Sequence, residues 1–199
     1  MFKQTAVAIL VAVGAGANAA LIYSNFAPSN GYNTNVGHLI LYDPDVYFPQ
    51  GERFTAGATG AAQTLDIAMG HVSGNTMVSM GLFFDVGGTI FGQLGTLVNM
   101  TTQAGSFGYP NAYQSLNCSN DGWNVTAGTT YWLVAFPAFN TNHGWHWNST
   151  GATGIHYYGG NYNASVTQGV FRLSTVPEPA TVLGLLLGIS ALARRQKRK

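Results

Sequence analysis

Between residues 20 and 175 the chain carries 22 of its 26 glycines, interleaved with asparagine, so no stretch runs far without a turn-forming residue. Glycine costs a helix interior about 1 kcal/mol relative to alanine, and at this density it forbids a long uninterrupted helix. Short strands joined by tight turns tolerate it. The apolar residues between the glycines follow period two. In Thr64–Met69, Leu65, Ile67 and Met69 share one face; in Met77–Phe84, Val78, Met80, Leu82 and Phe84 do so, opposite Ser79 and Gly81. Ser73-Gly74-Asn75 separates the two runs, and together they read as a hairpin with one face on a core. Thr129–Phe136 is apolar on both faces, as a central strand is. Gly87-Gly88 and Gly92 punctuate a loop before a strand at Leu94–Met100, and Phe171-Arg172-Leu173 reads as a closing strand. The expectation is an all-β chain: a single β-sandwich of jelly-roll type with about eight strands, a closed barrel being the alternative.

Charge narrows the function. Only 8% of the residues are charged, against about 25% in an ordinary soluble domain, which excludes a charge-rich disordered protein. Six of the eight basic residues sit near the termini: Lys3, Arg194, Arg195, Lys197, Arg198 and Lys199. From residue 20 to 176, Arg53 and Arg172 face Asp43, Asp45, Glu52, Asp66, Asp85 and Asp121, a net charge of −4. Such a surface repels phosphate backbones, so no nucleic-acid partner is expected.

Both termini read as addresses. Lys3, the apolar stretch Ala6–Val13 and the triplet Ala17-Asn18-Ala19 form a secretory signal with cleavage after Ala19, which engages the secretion machinery and signal peptidase. At the other end, Val176-Pro177-Glu178-Pro179 precedes a 14-residue apolar run, Ala180–Ala193, and then Arg194-Arg195-Gln196-Lys197-Arg198-Lys199. As a helix that run would reach about 21 Å, short of the roughly 30 Å hydrocarbon core. The five cations behind it hold that end on the cytoplasmic side. The prolines stop the helix from extending back into the domain. The expectation is a weakly held, transient inner-membrane insertion.

This three-part tail resembles the PEP-CTERM sorting signal, with Pro177, Glu178 and Pro179 at the motif position and Arg194, Arg195, Lys197, Arg198 and Lys199 as the basic end. The resemblance implies recognition by exosortase, a membrane-embedded cysteine transpeptidase. It also implies a Gram-negative bacterium that exports exopolysaccharide and a destination at the cell surface or in the biofilm matrix. It covers about the last two dozen residues and supplies an address, not an activity. A second resemblance runs through the middle. Arg53-Phe54-Thr55-Ala56-Gly57, Asn75-Thr76-Met77-Val78, Asp85-Val86-Gly87-Gly88 and Trp123-Asn124-Val125-Thr126-Ala127-Gly128-Thr129-Thr130-Tyr131-Trp132-Leu133 together look like the choice-of-anchor R domain, over most of Phe54–Leu173. The chain departs from that pattern at Thr89-Ile90-Phe91-Gly92, where Pro-Gly is frequent. Three segments follow: a signal peptide, 1–19; a β-sandwich, 20–175; and a sorting signal, 176–199.

Catalytic chemistry has few candidates. Cys118 is the single cysteine, which leaves no internal disulfide and no cysteine-based zinc site; it is either buried or an intermolecular partner. Of five histidines, His38, His71, His143, His146 and His156, only His143 and His146 are close in sequence. On a strand they would point to opposite faces. No spacing supplies the three or four convergent ligands of a zinc site, so structural or surface roles and no metal or cofactor are expected. Asp43-Pro44-Asp45, Asp85 and Asp121 stand in turn-like contexts; without an acidic ladder they read as turn formers rather than calcium ligands. Glu52 is the only glutamate of the central segment, whereas a glycosidase requires two acids flanking a cleft. There is no nucleophile elbow, metalloprotease helix or phosphate loop. The aromatic clusters around Trp145, His146 and Trp147 and around Tyr157 and Tyr158 could stack on sugar rings, or else pack in the core. Five Asn-x-Ser/Thr sequons, at Asn99, Asn117, Asn124, Asn148 and Asn163, read as an amide-rich exposed surface. The expected function is an exported, exosortase-processed, non-catalytic surface or matrix protein. An exopolysaccharide-binding module and a secreted glycan hydrolase are the alternatives, in that order.

Overall fold

The computed structural model describes residues 19–104, 107 and 111–175. Ala17, the sorting motif Pro177, Glu178 and Pro179, and the cations from Arg194 to Lys199 lie outside the described residues. Among the described residues no helix is long and apolar enough to cross a membrane.

The chain forms β1 (Leu21–Ser24), a 3-10 turn (Pro28–Asn30), β2 (Tyr32–Asp43), β3 (Val46–Phe48), β4 (Gln50–Thr55) and β5 (Gly60–Gly74). It continues with β6 (Met77–Val86), β7 (Thr89–Thr101), β8 (Gln103–Ala104), β9 (Tyr113–Asn117) and β10 (Asn124–Val125). The last five strands are β11 (Thr130–Pro137), β12 (Thr141–Asn148), β13 (Thr153–Tyr158), β14 (Asn161–Thr167) and β15 (Phe171–Thr175). Two sheets result. One runs β1-β15-β5-β12-β2-β3, with β8, β9 and β10 added on β5; the other runs β14-β13-β4-β11-β6-β7. All pairings are antiparallel except the two-residue match of β5 with β8. The strand number exceeds the expectation because short strands annex themselves to the long β5, whose turn-like neighbours carry too few apolar residues to be read as strands.

The core lies between the sheets. Leu65, Ile67 and Met69 of β5 are fully buried, as period two predicts, and face Met80 and Leu82 of β6 and Leu133 of β11. Each such side chain contributes about 1.5–3 kcal/mol on burial. The central position of β11, between β4 and β6, matches its apolar character on both faces.

Three sequence expectations are corrected here. β5 and β6 do not form a hairpin: they lie in different sheets, and Gly74-Asn75 is the corner between them. Gly74 sits at φ 78, and a Cβ there would lie 2.2 Å from Asn140 O, while Asn75 N donates to that same oxygen at 2.7 Å. Period two cannot distinguish a hairpin from a corner, because both put the same alternate residues on one core. Second, Gly87-Gly88 is itself the tight turn of a hairpin, with φ of 62 and 87, the conformation a two-residue turn demands. Val86 and Thr89 pair directly across it, so β7 starts at Thr89 rather than Leu94. Third, Phe84 shares the inward face of β6 but is 40% exposed near the β6–β7 turn, whose tip leans on its own sheet, Ile90 N donating to the Tyr162 hydroxyl at 3.0 Å.

The two ends of the sandwich chain meet. β1 pairs with β15, and Thr175 N donates to Ala20 O at 2.9 Å. Gly57 N to Ile22 O and Ala56 N to Thr129 O continue this seam to β11, whose Tyr131 stands opposite Phe84, itself opposite Phe91. Ala20, Thr175 and the tip of the β6–β7 hairpin therefore lie at one pole.

Candidate functional site

In β4, Gln50 and Glu52 occupy the same inward phase as the core residue Phe54, although both are polar and both are fully buried. Strand pairing sets His156 of β13 directly opposite Glu52 and Tyr158 opposite Gln50. His38 of β2 enters from the facing sheet. Glu52 Oε1 collects three donors: Gly169 N at 2.6 Å, His156 Nδ1 at 3.0 Å and His38 Nε2 at 3.3 Å. His38 Nε2 also donates to Thr167 O at 2.9 Å. His156 Nε2 donates to Gln50 Oε1 at 2.5 Å, and Gln50 Nε2 donates to Leu39 O at 2.8 Å, which sets the amide's orientation. Both nitrogens of His156 thus lie against oxygen atoms, Nδ1 at Glu52 Oε1 and Nε2 at Gln50 Oε1. Burial pushes the Glu52 carboxyl up, but the hydrogen bonds and charges of His156 and His38 outweigh it and hold the group below the ordinary carboxylate range.

His38, Glu52 and His156 present ligand atoms within 4.8 Å of one another, a convergence that the linear spacing of 38, 52 and 156 concealed. The arrangement nonetheless suits protons better than a metal ion. The two imidazoles stack at 3.8 Å with 19° between their planes. A metal lies near the plane of each ring that binds it, and two nearly parallel planes do not meet at one point. What the cluster does is bolt the two sheets together: β4 and β13 belong to one, β2 to the other, and Gly169 to the segment entering β15. Glu52 Oε2 and Trp147 Nε1 are buried without hydrogen-bond partners on the two groups that flank His38. Sequence reading missed His38, Gln50, Glu52 and His156 as a group. The available signal was Gln50-x-Glu52-x-Phe54: polar residues in the phase of a core strand.

The aromatic residues singled out from the sequence do not form one face. Trp145 is fully buried in the core, its Nε1 donating to Val170 O at 3.0 Å. His146 is fully buried on the other side of β12, against Tyr32 and Phe107, and burial lowers its pKa. Neither can touch an external sugar. Trp147 is half-buried beside His38. Tyr158 stacks on Phe48 at 4.7 Å, whereas Tyr157 lies on the outer face beside Tyr162 at 5.3 Å. His143 faces Thr102 and His71, away from His146, as strand alternation requires; burial, then the neighbouring His71, brings it down to about 4.

The acids are likewise accounted for. Asp43 Oδ1 accepts from Asp45 N at 3.0 Å in the β2–β3 turn. Asp85 belongs to β6, not to a loop; it takes a two-pronged bond from Arg53 at 2.8 Å and the Trp132 indole at 2.8 Å. Asp121 accepts from Thr96 Oγ1 at 2.7 Å. Cys118 is buried. Asn99, Asn117, Asn124 and Asn163 are exposed, but Asn148 is buried, bonding Ala152 and Gln168 across the β12–β13 turn. Ala19 is exposed at the start of the described chain. No protein-family model, curated protein or solved structure matches the chain.

Proposed function

We propose that this chain is an exported surface or matrix protein whose non-catalytic sandwich, of jelly-roll type, is delivered through its C-terminal sorting signal. The observation that carries the reading is the ordered tail: Pro177-Glu178-Pro179, the 14-residue apolar run and five cations. The run holds the chain in the inner membrane long enough for exosortase to act near the motif, and the sandwich then passes to the envelope or the exopolysaccharide matrix. Two structural observations support it. Ala20 and Thr175 are hydrogen-bonded neighbours, so leader and tail leave the sandwich at one place and the body hangs from a single attachment. Three of the six acids of the sandwich are also engaged: Glu52 is sealed from solvent, and Asp66 and Asp85 are held by Arg172 and Arg53. A hydrolase would instead present two free carboxyl groups to a cleft.

Intact-mass measurement and C-terminal sequencing of surface material, with and without the exosortase, test the proposal. Processing near Pro177 only when the enzyme is present is the expected result. A surface chain that still ends at Lys199 in its presence overturns it. A second reading, exopolysaccharide binding, is favoured by Tyr157 and Tyr162, which lie side by side with Tyr162 38% exposed. Phenol rings on an open sheet face suit the apolar side of a pyranose. Retention of the sandwich on the producer's own polysaccharide, lost in Tyr157→Ala and Tyr162→Ala, would be its signature; equal retention of those variants would remove it.

A further inference from the structure

The pole where the chain ends meet is apolar and open. Leu21 is 53% exposed, Phe84 40%, Val86 55% and Phe91 64%. Phe84 and Phe91 are cross-strand partners at the hairpin tip, and the backbone bonds Gly57–Ile22 and Ala56–Thr129, leading to Tyr131 opposite Phe84, place that tip at the same pole as Ala20; Leu21, paired with Ser174, lies on the outer face of the other sheet. Around this lip stand exposed, uncharged threonines: Thr55, Thr89 and Thr129. The nearby ionic groups, Arg53 and Asp85, are closed on each other at 2.8 Å. Contact with an apolar or headgroup surface would therefore strip water from little charge, the costly step in such contacts.

The position of the tail says which surface this is. The apolar run at Ala180 follows Thr175 after four residues, Val176–Pro179, which extend at most about 14 Å. Whatever layer holds residues 180–193 begins within that distance of Thr175, at the pole where the β6–β7 tip also ends. The far end of the sandwich also exposes rings, Tyr47 at 47% and Phe139 at 58%. They stand beside the Asp43-Asp45 turn, and their carboxylates repel an anionic lipid surface.

We propose that the lip formed by Phe84, Val86 and Phe91 is a membrane-contact surface, seated on the bilayer interface while the tail is inserted and released when the tail is cut. This rests on the reading of the tail as a membrane-held signal. The lip would fix the sandwich's orientation and keep residues 176–179 at the lipid surface, where a membrane-embedded transpeptidase works.

The test uses the full chain reconstituted in phosphatidylethanolamine/phosphatidylglycerol vesicles. Because Cys118 is buried, a single nitroxide label can be placed through Val86→Cys, Phe91→Cys, Tyr47→Cys or Gly188→Cys. Labels at 86 and 91 are expected to be about fivefold less accessible to a water-soluble nickel chelate than the label at 47, and more accessible to oxygen, as for groups settling 5–10 Å into the interface. If the label at 188 reports lipid while those at 86 and 91 match 47, the lip proposal fails and the tail reading stands. A label at 188 that reports water overturns both. Protection at 86 and 91 that persists without vesicles, or that vanishes on diluting the protein in lipid, assigns the lip to the chain's own tail or to a second copy and overturns it too.

Discussion

Replacing Glu52 by glutamine tests the bolt between the sheets most directly. The variant keeps the side chain's shape and one carbonyl acceptor but removes the carboxylate charge that Gly169 N, His156 and His38 face. Glu52 is 0% exposed, and its Oε1 takes donors at 2.6, 3.0 and 3.3 Å. Removing one member of a buried pair costs about 3–5 kcal/mol. The retained acceptor puts Glu52→Gln near the lower end, about 3 kcal/mol. With a urea m-value of about 2 kcal/mol per molar for a domain of this size, the unfolding midpoint falls by about 1.5 M. Tryptophan fluorescence of the detergent-solubilised full chain reports it, since Trp123, Trp132 and Trp145 are all fully buried. The pH arm follows from sign. Glu52 is held below its ordinary pKa, so its contribution is complete above the unfolded value of about 4.3 and is lost as pH falls through the lower folded value. The gap between native and variant should therefore close in acid, because the variant has no carboxylate to lose. A midpoint change below about 0.5 M near neutral pH, or a gap that stays constant into strong acid, refutes the account of a buried carboxylate held ionised by its donors.

Two further outcomes can be measured on the same material. The Cys118 thiol is pushed up to about 12 by burial and then by the nearby Asp121 charge; it should resist maleimide in the native chain at mildly alkaline pH and take up one equivalent in denaturant, so fast native labelling would contradict its burial. Gly74→Ala places a Cβ 2.2 Å from Asn140 O at φ 78. This strained corner should lose at least about 2 kcal/mol, a melting-point drop of about 5 °C or more, and an unchanged melting point would mean that the corner is not held as described.

Period two made Leu65, Ile67, Met69, Val78, Met80 and Leu82 legible as one core, because alternation follows from the pleat alone. The same signal misread Gly74-Asn75 as a hairpin turn, since a corner between sheets leaves alternation unchanged. Sugar contact and core packing both stayed open for Trp145 and His146, because a flat ring written in sequence carries no information about which layer covers it. Phe107 and Phe171, distant in the chain, decide that. Asp85 looked like a loop residue because Gly87-Gly88 marks a turn without saying how closely the strands approach it.

The amino-acid order alone determined strand over helix and the scarcity of free charge, and it alone carries the proposed reading of two terminal addresses, since each depends on residues adjacent along the chain. The meeting of His38, Glu52 and His156, the single pole shared by both ends and the exposed apolar tip of the β6–β7 hairpin were decided only in three dimensions. The bonds of Glu52 to His156 and of Ala20 to Thr175, and the stacking of His38 on His156, join residues more than a hundred positions apart. Their existence depends on which strands pair and which sheet faces which, an outcome of packing the whole core that no local window contains.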